Sequence, residues 1–166
     1  MVNKILVILV LAAAAYFGWR FFLAPSEEAR VKETFTAMAA ALDKSGNEPT
    51  LEALGKARRA VALVEPGCTC EAFGKTFTLS KTASEATQHV VAFRTLAANM
   101  HFAFEDISVR FTDGTTAETS CDFFYTGDDF DLRVRDARAM DATLRKDPDS
   151  GRWRFAHVRL SDIIEK

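Results

Sequence analysis

Cys68 and Cys70 stand one residue apart in the stretch EPGCTCEAF, and Cys121 is the third and last thiol of the chain. A pair at this spacing could be a redox couple, two ligands of a metal, or two small side chains in a strand. A structural zinc needs four ligands, and neither a second cysteine pair nor a His-x3-His completes a set. No metal and no cofactor is therefore expected. A Cys68 to Cys70 bond needs a kink, because residues i and i+2 of an extended chain hold their side chains parallel and too far apart. Pro66-Gly67 just upstream offers a place for one. Such a bond would be strained and easily reduced. The order of preference is structural thiols, then a labile Cys68/Cys70 pair, then metal.

Acid–base chemistry would fall to His89, His101 and His157 or to the strand carboxylates Asp122 and Asp136. Nothing in the sequence fixes a partner for any of the histidines, so they read as surface or satisfied structural groups. Asp122 and Asp136 read as lying opposite the apolar residues of their strands, on solvated faces. Arg133, Arg135 and Arg138 read as the wetted side of a strand, without the interleaved aromatics of a nucleic-acid platform. No catalytic residue is named. Charge points the same way: after position 26 the chain holds 19 basic and 23 acidic residues, a net of −4, with no basic stripe to displace counterions. Nucleic acid is excluded as a partner.

The compartment is read from the other end. Residues 5 to 19, ILVILVLAAAAYFGW, carry no charge, and apolar character resumes after Arg20 up to Leu23. As a helix this run spans about 28 Å at ~1.5 Å per residue, near the thickness of a bilayer core. Arg20 can snorkel, and Tyr16 and Trp19 suit the interface. A cleaved signal peptide is the rival, since Ala13-Ala14-Ala15 offers an A-x-A site, but cleavage there leaves YFGWRFFL as an apolar new terminus. No cysteine near residue 20 could take a lipid. The expectation is a signal anchor, one transmembrane helix over residues 1–25 in the inner membrane, followed by a domain over residues 26–166. Lys4 before the span and Glu27 and Glu28 after it place that domain in the periplasm or outside.

With 166 residues, 48% of them apolar, the chain suffices for one domain with a core. Ser26-Glu27-Glu28 starts a helix that carries Val31, Phe35, Met38 and Leu42 on one face and stops at Ser45-Gly46-Asn47. A second helix runs from about Thr50 with Leu51, Leu54, Val61 and Val64 in a stripe, closed by Pro66-Gly67. CTCEAF and KTFTLS, separated by Gly74, read as a small hairpin. Thr82 with Glu85 is a capping box for a third helix carrying Ala86, Val90, Phe93, Ala97 and Met100. The period then switches to two. Ile107, Val109 and Phe111 lead to a turn at Asp113-Gly114, and Ala117, Thr119, Cys121, Phe123 and Tyr125 share the face of the returning strand. A strand from Phe130 to about Leu144 follows. In the last strand Trp153 and Phe155 share a parity that Val158 and Leu160 do not, which predicts a β-bulge near Ala156-His157.

This order of elements, with the closing LRKDPDSGRWRFAHVRL, resembles the nuclear transport factor 2 family and its SnoaL-like relatives over residues 26 to 162. The resemblance implies an α+β cone of cystatin-like type, a curved and mainly antiparallel mixed sheet wrapped around three helices. It places two strands between Cys68/Cys70 and Cys121, roughly 14 Å, about twice the reach of a disulfide, which leaves Cys121 as a small buried side chain. It also brings Phe35, Met38, Val109, Phe111, Cys121, Phe123, Trp153 and Phe155 to one interior, either a packed core or an apolar pocket, with core the preferred reading. The family spans enzymes and noncatalytic domains, so the fold leaves function open. Without a partnered acid or base, the expected role is a membrane-anchored, envelope-facing noncatalytic binding or assembly module. Its partner would be a small apolar ligand or an envelope protein, and a homodimer is left open. The alternative is a small-molecule isomerase, cyclase or dehydratase of the SnoaL-like type.

Overall fold

Ser26 starts the first helix as its side chain predicts: its hydroxyl oxygen accepts a hydrogen bond from the Ala29 amide at 3.1 Å, and Glu27 and Glu28 occupy the positive first turn of α1 (Glu27–Leu42). The structure is a computed structural model that describes residues 25–72, 74–79, 82–129 and 132–163, with the backbone alone at 129, 132–135 and 162–163. The anchor expected over residues 1–25 thus falls almost wholly outside the described residues, as do Phe130 and the side chains of Leu132 and Val134. No described helix is long and apolar enough to cross a membrane.

α1 buries Val31 and Phe35 completely. Helix α2 (Thr50–Ala62) buries only Ala57 and Ala60, and Leu51 of its apolar stripe is 84% exposed. Two boundaries differ from expectation. Pro66-Gly67 does not close α2, because strand β1 (Val64–Ala72) begins immediately after Leu63 and contains both residues. Gly67 has φ of +79°, and the pairing of β1 with the last strand shifts register between Val64 and Thr69, so the Pro-Gly break interrupts a ladder, not a helix. After Gly74, also at positive φ, β2 (Lys75–Thr78) completes the expected hairpin.

Thr82 caps α3 (Ala83–Arg94), its hydroxyl oxygen accepting from the Glu85 amide. This helix ends at Arg94 and does not reach Met100. Ala97 and Met100 are buried on the strand β3 (Ala97–Phe111), where a register shift between them lets positions three apart face the same way. A bulge has imitated helical spacing. Strands β4 (Thr116–Asp129), β5 (Leu132–Lys146) and β6 (Trp153–Ile163) follow.

The six strands form one sheet in the order β2-β1-β6-β5-β4-β3, with β1 parallel to β6 and every other pair antiparallel. Thr143 pairs with His157 and Leu144 with Phe155, so Ala156 is the extra residue of the bulge that the parity switch in β6 predicts. A second irregularity lies at Asp106, whose φ is +52°. Such bulges bend a sheet, and this one curves around α1. At its centre Phe35 meets Phe104 and Phe155 edge to face at centroid distances of 5.3 and 5.0 Å.

The far end of α1 is closed by Arg94 from α3. Its Nη1 donates to the carbonyls of Ala41 and Leu42 and its Nη2 to that of Asp43, while the same guanidinium grips Glu48. The C-terminal carbonyls that a helix leaves unsatisfied are thereby filled by another helix's side chain. Lys44 Nζ returns the favour, donating to the carbonyls of Arg94 and Ala97 at 2.8 and 2.7 Å.

Candidate functional site

The concave face of the sheet is packed at its centre. Phe35, Cys121, Trp153 and Phe155 are buried in one cluster, and Met38, Val109 and Phe123 pack against it partly buried. Phe111 sits at the margin, 41% exposed, with its ring 5.7 Å from that of Trp153. Trp153 Nε1 donates to Glu27 Oε2 at 2.9 Å, and Lys146 binds the same oxygen at 3.0 Å. The Lys146 bond, with that of Trp153, holds the Glu27 carboxyl below its usual range against a partial burial that opposes it.

All three cysteines are free thiols. Two strands, β6 and β5, separate the strand of Cys68 and Cys70 from that of Cys121. Burial raises the Cys68 thiol to about 11, with Cys70 and Glu65 adding to it, and raises Cys121 to about 12, with Asp122 and Asp141 adding to it. Cys70 is pushed up by burial as well. Thiolate, the nucleophile and metal ligand, is therefore scarce at neutral pH. Among the described residues no group of His, Cys, Asp or Glu could hold a metal.

The histidines are scattered. His89 is exposed on α3. His101 is 70% exposed at the side chain and lies 3.2 Å from Asp43 Oδ2. His157 Nδ1 pairs with Thr69 Oγ1 at 2.7 Å on the outer face of the sheet.

Two polar residues sit where the sequence reading did not put them. Asp136 and Arg138 have the parity of Met140, Ala142 and Leu144, and face inward: Asp136 lies opposite Tyr125 and Arg138 opposite Phe123. Arg138 is 9% exposed, its Nε donating to Asp136 Oδ2 at 2.7 Å and its Nη1 to the Ser161 carbonyl. Arg138 is thus no part of a wetted strand face, and Asp136 is not on the solvated side. Counting back by twos from Met140 would have found both. Asp122 does lie on the outer parity, opposite Glu105 and Ala139. The side chains of Arg133 and Arg135 fall outside the described ones.

A cavity of about 610 Å³ lies outside the cone, between α2, α3 and the start of β1. Leu54, Val61, Val64, Pro66, Leu79 and Ala86 give it an apolar lining, and it opens to solvent along one side. That volume is within the range of small-molecule sites, which are mostly apolar with a few polar groups. Among the described lining residues the charged groups are Arg58, Glu65 and Arg154, and the neutral polar ones are Ser84, Thr87 and Gln88. Glu65 is tied to Arg145 at 3.5 Å and Arg154 Nη1 to Asp147 at 3.0 Å. None of these lining residues is singled out by the sequence as a site. The available signal is the spacing of Leu54, Arg58 and Val61, which sets a guanidinium within the apolar stripe of a helix.

No family model and no curated protein matches the chain. Solved structures do. A protein provisionally named scytalone dehydratase from Novosphingobium aromaticivorans superposes with a TM-score of 0.65 at 14% identity, over 84% of this chain and 85% of that one. A protein provisionally named a dehydratase of the nuclear transport factor 2-like family, from Streptomyces avermitilis, gives 0.60 at 16% identity over 82% and 95%. A third, provisionally named a calcium/calmodulin-dependent protein kinase II association domain, from Xanthomonas campestris, gives 0.62 at 16% identity over 86% and 91%. At these identities the likeness shows the fold alone, the α+β cone that these proteins share with this chain.

Proposed function

We propose that this chain is a noncatalytic binding domain, held at a membrane by its N-terminal segment, whose ligand lies in the groove between α2, α3 and β1. The observation that carries the reading is a contrast. Phe35, wedged against Phe104 and Phe155, fills the centre of the cone, where an enzyme of this shape would hold its substrate, while the groove outside stays open and apolar. The fold itself is neutral, being shared by proteins named as dehydratases and as an association domain. The uncharged run over residues 5 to 19 supports the anchor and, with Glu27 and Glu28 behind it, an orientation facing the envelope.

A thermal-shift screen of the full-length chain tests the site, run in parallel on Ser84→Trp, which projects an indole into the groove from an exposed lining position. Ligands whose stabilisation disappears in Ser84→Trp support the reading. Ligands that stabilise both proteins equally, and lose their effect in Phe123→Ala, would move the site into the cone and end it.

One observation favours an isomerase, cyclase or dehydratase as a second reading. Asp136 and Tyr125 are direct cross-strand neighbours on the concave face, a carboxylate beside a phenol. Any turnover found with a carbonyl substrate should then vanish in Asp136→Asn, and persistence of the activity would remove this reading.

A further inference from the structure

Resting on the groove as the ligand site, we infer that its ligand is an amphiphile with one carboxylate, whose apolar chain lies on the α2 and β1 lining and whose head is taken by Arg58 and Arg154. Two observations specify the head. Arg154 Nε is buried and has no hydrogen-bond partner among the described residues, although the same side chain lines the groove and spends only its Nη1 on Asp147. A buried donor without an acceptor is costly, and a turn of the guanidinium toward the groove would bring it to a ligand oxygen. Arg58 stands one turn after Leu54, exposed at the edge of the same lining, with no ion pair to a described residue. The first turn of α3, where Ala83 and Ser84 also border the groove, adds a positive dipole end to the same region.

The charge of the head follows from a count. Among the described residues Arg58, Arg145 and Arg154 face Glu65 and Asp147, so one positive charge is left over. A monoanion balances it. A dianion such as a phosphate monoester would bring its second charge against Glu65, the acid that shares the lining. A guanidinium fork suits a planar carboxylate, and the apolar lining rewards a chain by about fourfold in affinity for each buried methylene.

The test is calorimetric titration of octanoate and of octan-1-ol, which share a chain and differ in the head, into the full-length chain held in lipid nanodiscs, with empty nanodiscs as the blank. Octanoate should bind about tenfold tighter than the alcohol, Arg58→Ala should erase that advantage, and Arg58→Glu should reverse it. Arg58 is exposed, so both variants leave the fold intact. Equal affinity of acid and alcohol for the wild type would overturn the carboxylate while leaving the groove as an apolar site. Octanoate binding that is indifferent to Arg58→Glu would overturn it by placing the head elsewhere, and octyl phosphate binding tighter than octanoate would overturn the monoanion. Failure of both acid and alcohol to bind would remove the groove reading as well.

Discussion

Arg94 Nη2 and Glu48 Oε1 lie 2.7 Å apart with 2% and 4% of their side chains exposed, and the pair joins the start of α2 to both the end of α3 and the end of α1. Taking two such charges out of water is expensive, and the attraction between them repays it only with full hydrogen bonding. Arg94 meets that condition: its Nε, Nη1 and Nη2 all donate. Breaking the pair from one side is therefore far worse than removing it. Glu48→Gln or Arg94→Ala should cost roughly 3 to 5 kcal/mol in urea unfolding, out of a total of about 5 to 15 for a domain of this kind. A loss below ~1 kcal/mol in either variant would show that the clamp is not closed.

The same carboxylate sets an acid limit. Burial would raise Glu48, yet the bonds from Arg94 and Lys56 outweigh it and hold the carboxyl below its ordinary range. A folded-state pKa below the unfolded value of about 4.3 gives stability that is whole above that pH and is lost as pH falls through the folded value. Glu27, depressed by Lys146, acts in the same direction. Unfolding free energy should be flat from pH 7 to about 5 and fall below about 4. Glu48→Gln should lower the plateau and flatten the acid limb; a limb as steep as that of the wild type would uncouple Glu48 from acid unfolding.

Thiol chemistry should be slow everywhere in the native state. With Cys68 and Cys121 raised to about 11 and 12, the thiolate fraction at pH 8 is on the order of one in a thousand and one in ten thousand. Iodoacetamide at pH 8 should leave both unmodified in the folded protein and label all three cysteines in urea, as read by peptide mass spectrometry. Prompt labelling of Cys121 without denaturant would contradict its burial.

Packing gives a graded expectation. Phe35 is fully buried between two rings, so Phe35→Ala should cost about 3 to 5 kcal/mol. Phe123, only partly buried beside Phe102 and Phe104, should cost clearly less. Equal losses would mean that Phe123 is as enclosed as Phe35.

The anchor is tested by fusing alkaline phosphatase after Lys166. Activity in an intact cell is expected if the domain faces the envelope, and an inactive, soluble fusion would end that expectation.

What was legible in the sequence was what short-range chemistry dictates. Ser26 and Thr82 announce their helices through the amides they cap, the alternation from Ala117 to Tyr125 gives the inner face of β4, and the parity switch after Phe155 locates a bulge at Ala156. Errors arose where local spacing is ambiguous. Ala97 and Met100 keep a helix-like interval because the strand is irregular between them, and Pro66-Gly67 breaks regularity in strands as readily as in helices. Asp136 and Arg138 read as outward by their polar type, whereas parity puts them inside. Arg94 carries no local mark at all, since Glu48 is 46 residues away.

The parallel pairing of β1 with β6 has a consequence for how the chain is made. Val64 and Phe155, like Glu71 and Arg159, become neighbours although they stand about 90 residues apart. Contacts of such separation are slow to form, because the intervening loop must be closed before they return anything. The β1–β2 hairpin is complete early in synthesis, yet among the described strands the only other one that pairs with it is β6, made after β3, β4 and β5. Until then the hairpin edge and the inner face with Cys68 are unpaired, which makes the half-finished chain prone to stick to its neighbours. Deleting β6 should therefore yield an aggregating product, not a smaller folded domain.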